Sequence, residues 1–251
     1  MEIAPELIAK IMDTSIIEPN ASQKEVIQFI NEMKQYPFAA IAVDLYYLPL
    51  AVKLLKDTSI DVCATISYPL GGLPTPVKLK QVKWAVENGA DEMDVAMNMY
   101  AFKTGDYDSL EKEIREIVEI AGERVVKIIP MTAKLTPQDI KLACKIIKEA
   151  GANFIKTNSG FGQVTTVDHV RLIKSEFGDH LRVMVAGGVR NAEIAFAMLD
   201  AGADRIATST PLDVFNTLKE AQQKLGVEKV EKIRKRIEAL IKEVPKRRGY
   251  E

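Results

Sequence analysis

Short apolar runs of strand length return along the whole chain: MDTSII, FAAIAVD, DVCATIS, EMDVAMN, RVVKIIP, FIKTNS, RVMVAGG and RIATST. Segments with helical spacing separate most of them. In DSLEKEIREIVEIAGE, Leu110, Ile114, Ile117, Val118 and Ala121 fall on one apolar stripe, and Asp108 with Glu111 is expected to cap the start. In TPQDIKLACKIIKEAG, Thr136 ahead of Pro137 marks a helix entry and Gly151 an exit. Strand and helix in unbroken alternation predict parallel pairing through βαβ units.

A local repeat supports this pattern. ENGADEMDV, EAGANFIKT and DAGADRIAT each read as helix end, Gly-Ala-Asp/Asn, then strand, with the glycines at Gly89, Gly151 and Gly202. Eight units close most economically into a (β/α)8 TIM barrel, an α/β fold whose site lies at the carboxyl ends of the strands. An open doubly wound sheet is the alternative, but no GxGxxG follows the first strand. The predicted organisation is a barrel over residues 1–215 and a charged helical tail over 216–251, packed on the barrel or projecting from it. Its basic end, PKRRGYE, is expected to be solvated.

The repeat also sets register. Asp94 lies five residues after Gly89, and Lys156 five after Gly151, so both hold the same place on strands four and six. Alternate strands of such barrels feed the same interior layer, which points both side chains inward together. The third copy places the small Ala207 there on strand eight. A lysine in a buried strand needs a partner or loses its proton. The pair therefore reads either as a structural ion pair or as chemistry.

The rim favours chemistry. VAGGVR ends strand seven and ATSTP ends strand eight, the two loops where such barrels commonly hold phosphate. Gly187 and Gly188 allow close backbone approach, while Thr208, Ser209 and Thr210 supply hydroxyls. A lysine, an acid and a phosphate cradle suggest an imine: the neutral amine attacks a carbonyl, and the iminium draws electrons from a carbon–carbon bond. Burial and neighbouring cations are expected to lower the Lys156 pKa towards neutrality.

Composition narrows the alternatives. With 47% hydrophobic and 27% charged residues among 251, the chain has material for one large core. The 34 Lys and Arg nearly cancel the 35 Asp and Glu, so no general field attracts nucleic acid or an acidic membrane, and any anion site is local. Cys63 and Cys144 lie in no metal-binding spacing, and no metal or organic cofactor is expected. His169 and His180 sit in polar surroundings and read as surface residues. The opening MEIAPELIAKIMD carries acids and lacks an arginine-flanked apolar run, and no window approaches the ~18 apolar residues of a membrane span, so a cytoplasmic location is expected.

The chain resembles the deoxyribose-phosphate aldolases, class I aldolases on a (β/α)8 barrel, over nearly its whole length to strand eight. The resemblance lies in IMDTSIIEP, in SYPLGGLPTPVKLKQVKWAVENGADEMDVAMN, and most specifically in GANFIKTNSGFG and AGGVRNAEIAFAMLDAGADRIATST. It implies that Lys156 forms the Schiff base, that Asp94 moves protons, and that Gly160, Gly187, Gly188, Thr208 and Ser209 hold phosphate. The implied reaction joins acetaldehyde to glyceraldehyde 3-phosphate reversibly, giving 2-deoxyribose 5-phosphate, without cofactor.

The family pattern carries a second lysine on strand seven, where this chain has Met184. Thr14, Glu18 and Ala42 also stand where the family has histidine, lysine and, in some members, cysteine. Asp13 stays as a candidate site residue, and Lys127 in VVKIIP can replace the missing cation if it faces inward. A related aldolase with another phosphorylated substrate, an isomerase or synthase using the same pair for proton transfer, and a sugar-phosphate-binding pseudoenzyme stay open. A homodimer or larger homo-oligomer is the expected assembly.

Overall fold

The computed structural model describes residues 2–243. Eight parallel strands close in sequence order: β1 (Met12–Ile16), β2 (Ala40–Val43), β3 (Asp61–Ile66), β4 (Glu92–Ala96), β5 (Val125–Ile129), β6 (Phe154–Lys156), β7 (Arg182–Val185) and β8 (Arg205–Thr208). β8 returns to β1, pairing Ile206 with Met12 and Ala207 with Asp13, which excludes the open sheet. Around the barrel run α1 (Pro5–Ala9), α2 (Gln23–Met33), α3 (Leu48–Leu55), α4 (Thr75–Glu87), α5 (Met99–Thr104), α6 (Tyr107–Ala121), α7 (Pro137–Glu149), α8 (Val167–Phe177), α9 (Ala192–Asp200), α10 (Pro211–Leu225) and α11 (Val227–Glu243). One apolar core lies between strands and helices, with Ile41, Val62, Met93, Ile128 and Val183 buried against it from the barrel side.

The repeat has a structural cause. Gly89, Gly151 and Gly202 take φ of +86°, +86° and +111°, the left-handed conformation that ends a helix without a Cβ clash. The next residue, Ala90, Ala152 or Ala203, then bonds back to a carbonyl five positions earlier. The third residue reaches the neighbouring strand: Asp91, Asn153 and Asp204 accept the backbone N–H of Val62, Val126 and Val183 at 2.9, 2.7 and 2.7 Å. Each also donates its own N–H to the carbonyl of that same valine. Gly-Ala-Asp/Asn thus stops a helix and fixes the register of the strand that follows.

One local expectation is corrected. The cap of α6 is Asp106, which accepts from the Ser109 N–H, so the helix begins one residue before Asp108. Glu113, polar in sequence, is buried and pairs at 2.5 Å with the buried Lys78 of α4. That lysine also donates to the carbonyls of Gly71 and Ala96, which joins two outer helices to the loop after β3. Thr136 caps α7 as expected, accepting from the Asp139 N–H.

At the carboxyl end of the chain, α10 runs without a break through position 215, and α11 packs on the barrel through Val230, Ile233 and Ile237. Arg236 anchors it, donating to the carbonyls of Gly202 and Ala203 and to the Asp204 carboxylate. The basic PKRRGYE end lies outside the described residues, 2–243. No described helix is long and apolar enough to cross a membrane.

Candidate active site

Every second side chain of a strand points into the barrel, and in-register partners share a face. Asp94 therefore stands between Thr65 on β3 and Lys127 on β5, while Lys156 stands beside Met184 on β7. The even-strand register read from the repeat is what the structure contains: Lys156 Nζ donates directly to Asp94 Oδ2. Lys127 faces inward and lies 3.1 Å from the other oxygen of Asp94, 2.7 Å from Asp13 and 2.6 Å from Glu92. Arg205 on β8 closes the network, 2.6 Å from Asp13 and 2.8 Å from Glu92. Three carboxyl groups thus face three basic groups, and mutual neutralisation is what allows so many charges to be buried.

These contacts decide the protonation states. Burial alone would raise the Asp94 carboxyl, but Lys127 and then Lys156 outweigh it and hold the group well below the usual carboxylate range. Burial alone would favour a neutral Lys156 amine, but the Asp94 carboxylate outweighs it and holds the ammonium above the ordinary lysine value. The expectation that Lys156 is lowered towards neutrality is therefore overturned for the resting site. Burial also pushes the Asp13 carboxyl up, opposed by Arg205 and Lys127. Met184 is fully buried in an apolar patch with Val125 and Phe154. The cation nearest Asp94 besides Lys156 comes instead from β5.

A cavity of about 230 Å³ opens above Lys156. Gly160, Gly187, Gly188, Thr208 and Ser209 line it together with the lysine, as does Ala207. At Gly187, φ is +90° and a Cβ would stand 2.3 Å from the Gln163 carbonyl oxygen, so the loop after β7 requires glycine on two counts. The Thr208 hydroxyl donates to the Val189 carbonyl at 2.7 Å and accepts from the Thr210 N–H. It shapes the lip by joining the two loops, and Ser209 lies exposed beside it. Beneath them Thr165 accepts from Asn158 Nδ2 at 2.8 Å and donates to the Ala186 carbonyl, tying the loop after Lys156 to β7.

Several residues escaped the sequence reading. Arg190 brings a cation to the cavity, and its position inside VAGGVR was a readable signal. Tyr68 donates to the Ser159 carbonyl oxygen and meets Phe161 edge-on at 5.8 Å, so the two rings stand over the lysine side of the cavity. Burial, chiefly, pushes its phenol up to about 12, and it remains a proton donor at neutral pH. Glu92 and Arg205 belong to strand patterns that showed no charge pairing without register. His169, read as surface, is half-buried against Thr132 at 3.3 Å, and that burial lowers its pKa.

The comparisons with known proteins agree with this architecture. A model of the DeoC/LacD family aldolases matches residues 7–209. The chain belongs to this family. It is 42% identical over 212 residues to the deoxyribose-phosphate aldolase of Dictyoglomus turgidum, covering 84% of this chain and 97% of that one. With the deoxyribose-phosphate aldolase of Thermococcus gammatolerans it shares 40% over 220 residues, 86% and 98% of the two chains. Among solved structures, the aldolase QR15 superposes with a TM-score of 0.81 at 36% identity, over 87% and 99% of the chains. The deoxyribose-phosphate aldolase of Aeropyrum pernix, described as a unique tetramer, gives 0.80 at 26% identity, over 87% and 94%. This DeoC/LacD family chain is accordingly a carbon–carbon lyase of the aldolase type.

Proposed function

We propose that this aldolase cleaves 2-deoxy-D-ribose 5-phosphate reversibly to glyceraldehyde 3-phosphate and acetaldehyde, through a Schiff base on Lys156. The observation that carries the reading is Lys156 bonded to Asp94 at the floor of a cavity whose opposite lip is the two glycine- and hydroxyl-bearing loops after β7 and β8. The names of the relatives support this substrate, and no observation favours the isomerase or the non-enzymatic reading.

In the proposed mechanism the Lys156 ammonium gives up its proton to water, past the Asp94 carboxylate, as the substrate aldehyde arrives. The free amine adds to C1, and loss of water leaves the iminium. A base takes the C3 hydroxyl proton, the C2–C3 electron pair moves into the iminium, and glyceraldehyde 3-phosphate leaves. Protonation of the enamine at C2 and hydrolysis release acetaldehyde. Lys127 holds Asp94 in place and compensates its charge, and Asp13 in turn fixes Lys127, while Gly160, Gly187, Gly188, Ser209 and the lip shaped by Thr208 receive the phosphate. We further propose a homo-oligomeric assembly and a cytoplasmic location.

Borohydride reduction in the presence of acetaldehyde is expected to add a two-carbon group to the peptide containing Lys156. Lys156→Ala is expected to lower retro-aldol turnover by at least about a thousandfold, the scale on which removal of a covalent nucleophile acts. Retention of turnover in that variant would exclude the imine route.

A further inference from the structure

The catalytic cavity does not end at Lys156. It shares Ile17, Glu18, Tyr68 and Phe161 with a second hollow of about 440 Å³ on the β1–β3 side, which adds Asp44, Tyr47 and Thr65 to the wall. A third hollow of about 540 Å³ continues past Asp44 and Thr65 to Ser67 and Gln81. Among the described residues, none that lines these two hollows is a lysine or arginine. The carboxylates of Glu18 and Asp44 stand at the rim, each fixed locally by one backbone N–H, from Ile17 and from Tyr46. The site is therefore polarised, with Arg190 and the glycine loops at one end and carboxylates and hydroxyls at the other.

Below the mouth the barrel interior is packed, with Lys127 Nζ 3.5 Å from Cys63 Sγ. On the β2–β3 side it is lined by Ala40, Ala42 and Cys63, whereas the β5–β7 side is filled by Val125, Phe154 and Met184. A carbonyl carbon bonded to Lys156 carries two substituents. One holds the reacting α-carbon and extends with the acceptor towards the β7–β8 lip. The other then has the second hollow open to it, where the acceptors of Glu18 and Asp44 meet hydroxyl donors.

We infer that the β1–β3 side of the mouth is a donor subsite for an uncharged, hydroxyl-bearing substituent, so that the protein uses hydroxylated ketones as donors alongside acetaldehyde and rejects 2-oxo acids. The inference rests on the Lys156 imine proposed above. With hydroxyacetone, the methyl carbon of the enamine bonds to the aldehyde carbon of glyceraldehyde 3-phosphate. The methyl group gives up one proton, the acceptor oxygen gains one, and hydrolysis returns the ketone. The product is a 3-deoxy-2-ketohexose 6-phosphate, formed without net oxidation. A carboxylate in place of the hydroxymethyl group would face Glu18 and Asp44, and like charge is repelled.

The test measures kcat/KM for addition of acetaldehyde, hydroxyacetone and pyruvate to glyceraldehyde 3-phosphate by the full chain. Hydroxyacetone is expected within about tenfold of acetaldehyde, with no pyruvate adduct, because a site that bonds a hydroxyl discriminates steeply against a mismatched group. The exposed Asp44 can be changed with little risk to the fold. Asp44→Asn keeps its turn-capping bond and is expected to lower the hydroxyacetone-to-acetaldehyde ratio a few-fold, and Asp44→Lys is expected to lower it by about tenfold and to admit pyruvate. Acetaldehyde addition with hydroxyacetone more than about tenfold poorer, or a donor ratio that neither variant moves, overturns the subsite and leaves the imine intact. Failure of every donor, with no borohydride label on Lys156, brings down the imine reading and the subsite with it.

Discussion

Asp94 makes Lys156 a charged group at rest, and this sets the main energetic demand on the proposed chemistry. Freeing an amine of ordinary pKa at pH 7 costs about 4.6 kcal/mol, and the raised value here makes the cost larger. A cation on β7 at the position of Met184 would be an in-register neighbour of Lys156 and would oppose its protonation. Met184→Lys is accordingly expected to lower the Lys156 pKa by about one unit and to shift the rise of kcat/KM with pH by as much towards acid. In the unmodified chain kcat/KM is expected to climb from neutral into alkaline pH, because the fraction of neutral amine grows as pH approaches the raised pKa. The pH profile reads only folded, active molecules, so loss of stability from one more charge in this network does not blur the result. Coincident profiles for the two chains would show that the β7 position does not govern the nucleophile's proton.

At the scale of elements, the sequence carried the barrel because helix end and strand start are chemically punctuated. Gly89, Gly151 and Gly202 stop their helices, and the offset of five residues placed Asp94 and Lys156 on one layer, where they touch. Pattern alone does not choose a face for Lys127, since period-two alternation has no origin until one strand is registered against another. Glu92 and Arg205 stayed unread for the same reason, as their partners lie on strands far away in the chain. The repeat's third position held more than was read from it: Asp91, Asn153 and Asp204 each satisfy the amide of a preceding strand. Asn153→Ala leaves the Val126 amide without that acceptor, and a loss of about 1–3 kcal/mol is expected in urea unfolding. A loss below a few tenths of a kcal/mol would mean that another group or water serves as well.

Over the whole molecule, the same charge network that positions Lys156 is a balanced set of buried groups, and its edge carries the pH dependence of the fold. Asp61 at the start of β3 is buried next to Glu92, and burial, then the Glu92 and Asp91 charges, push its carboxyl up to about 8 despite Arg205. Glu92 takes the opposite course: burial would raise it, but Arg205 and Lys127 hold it below the ordinary value, so the fixed charge sits there and the proton stays on Asp61. In an unfolded chain Asp61 ionises near pH 4, while in the barrel it keeps its proton to about pH 8. Below pH 4 both states are protonated and above pH 8 both are ionised. Between the two the unfolded state binds fewer protons, so stability falls as pH rises, by up to about 1.4 kcal/mol per unit. Asp61→Asn cannot ionise and loses this slope. Its stability relative to the unmodified chain is therefore expected to improve steadily from pH 5 to pH 8, whatever its offset at pH 5, in paired denaturant titrations. A constant difference between the two chains across that range would show that Asp61 is ionised in the folded barrel and that Arg205 compensates three carboxylates.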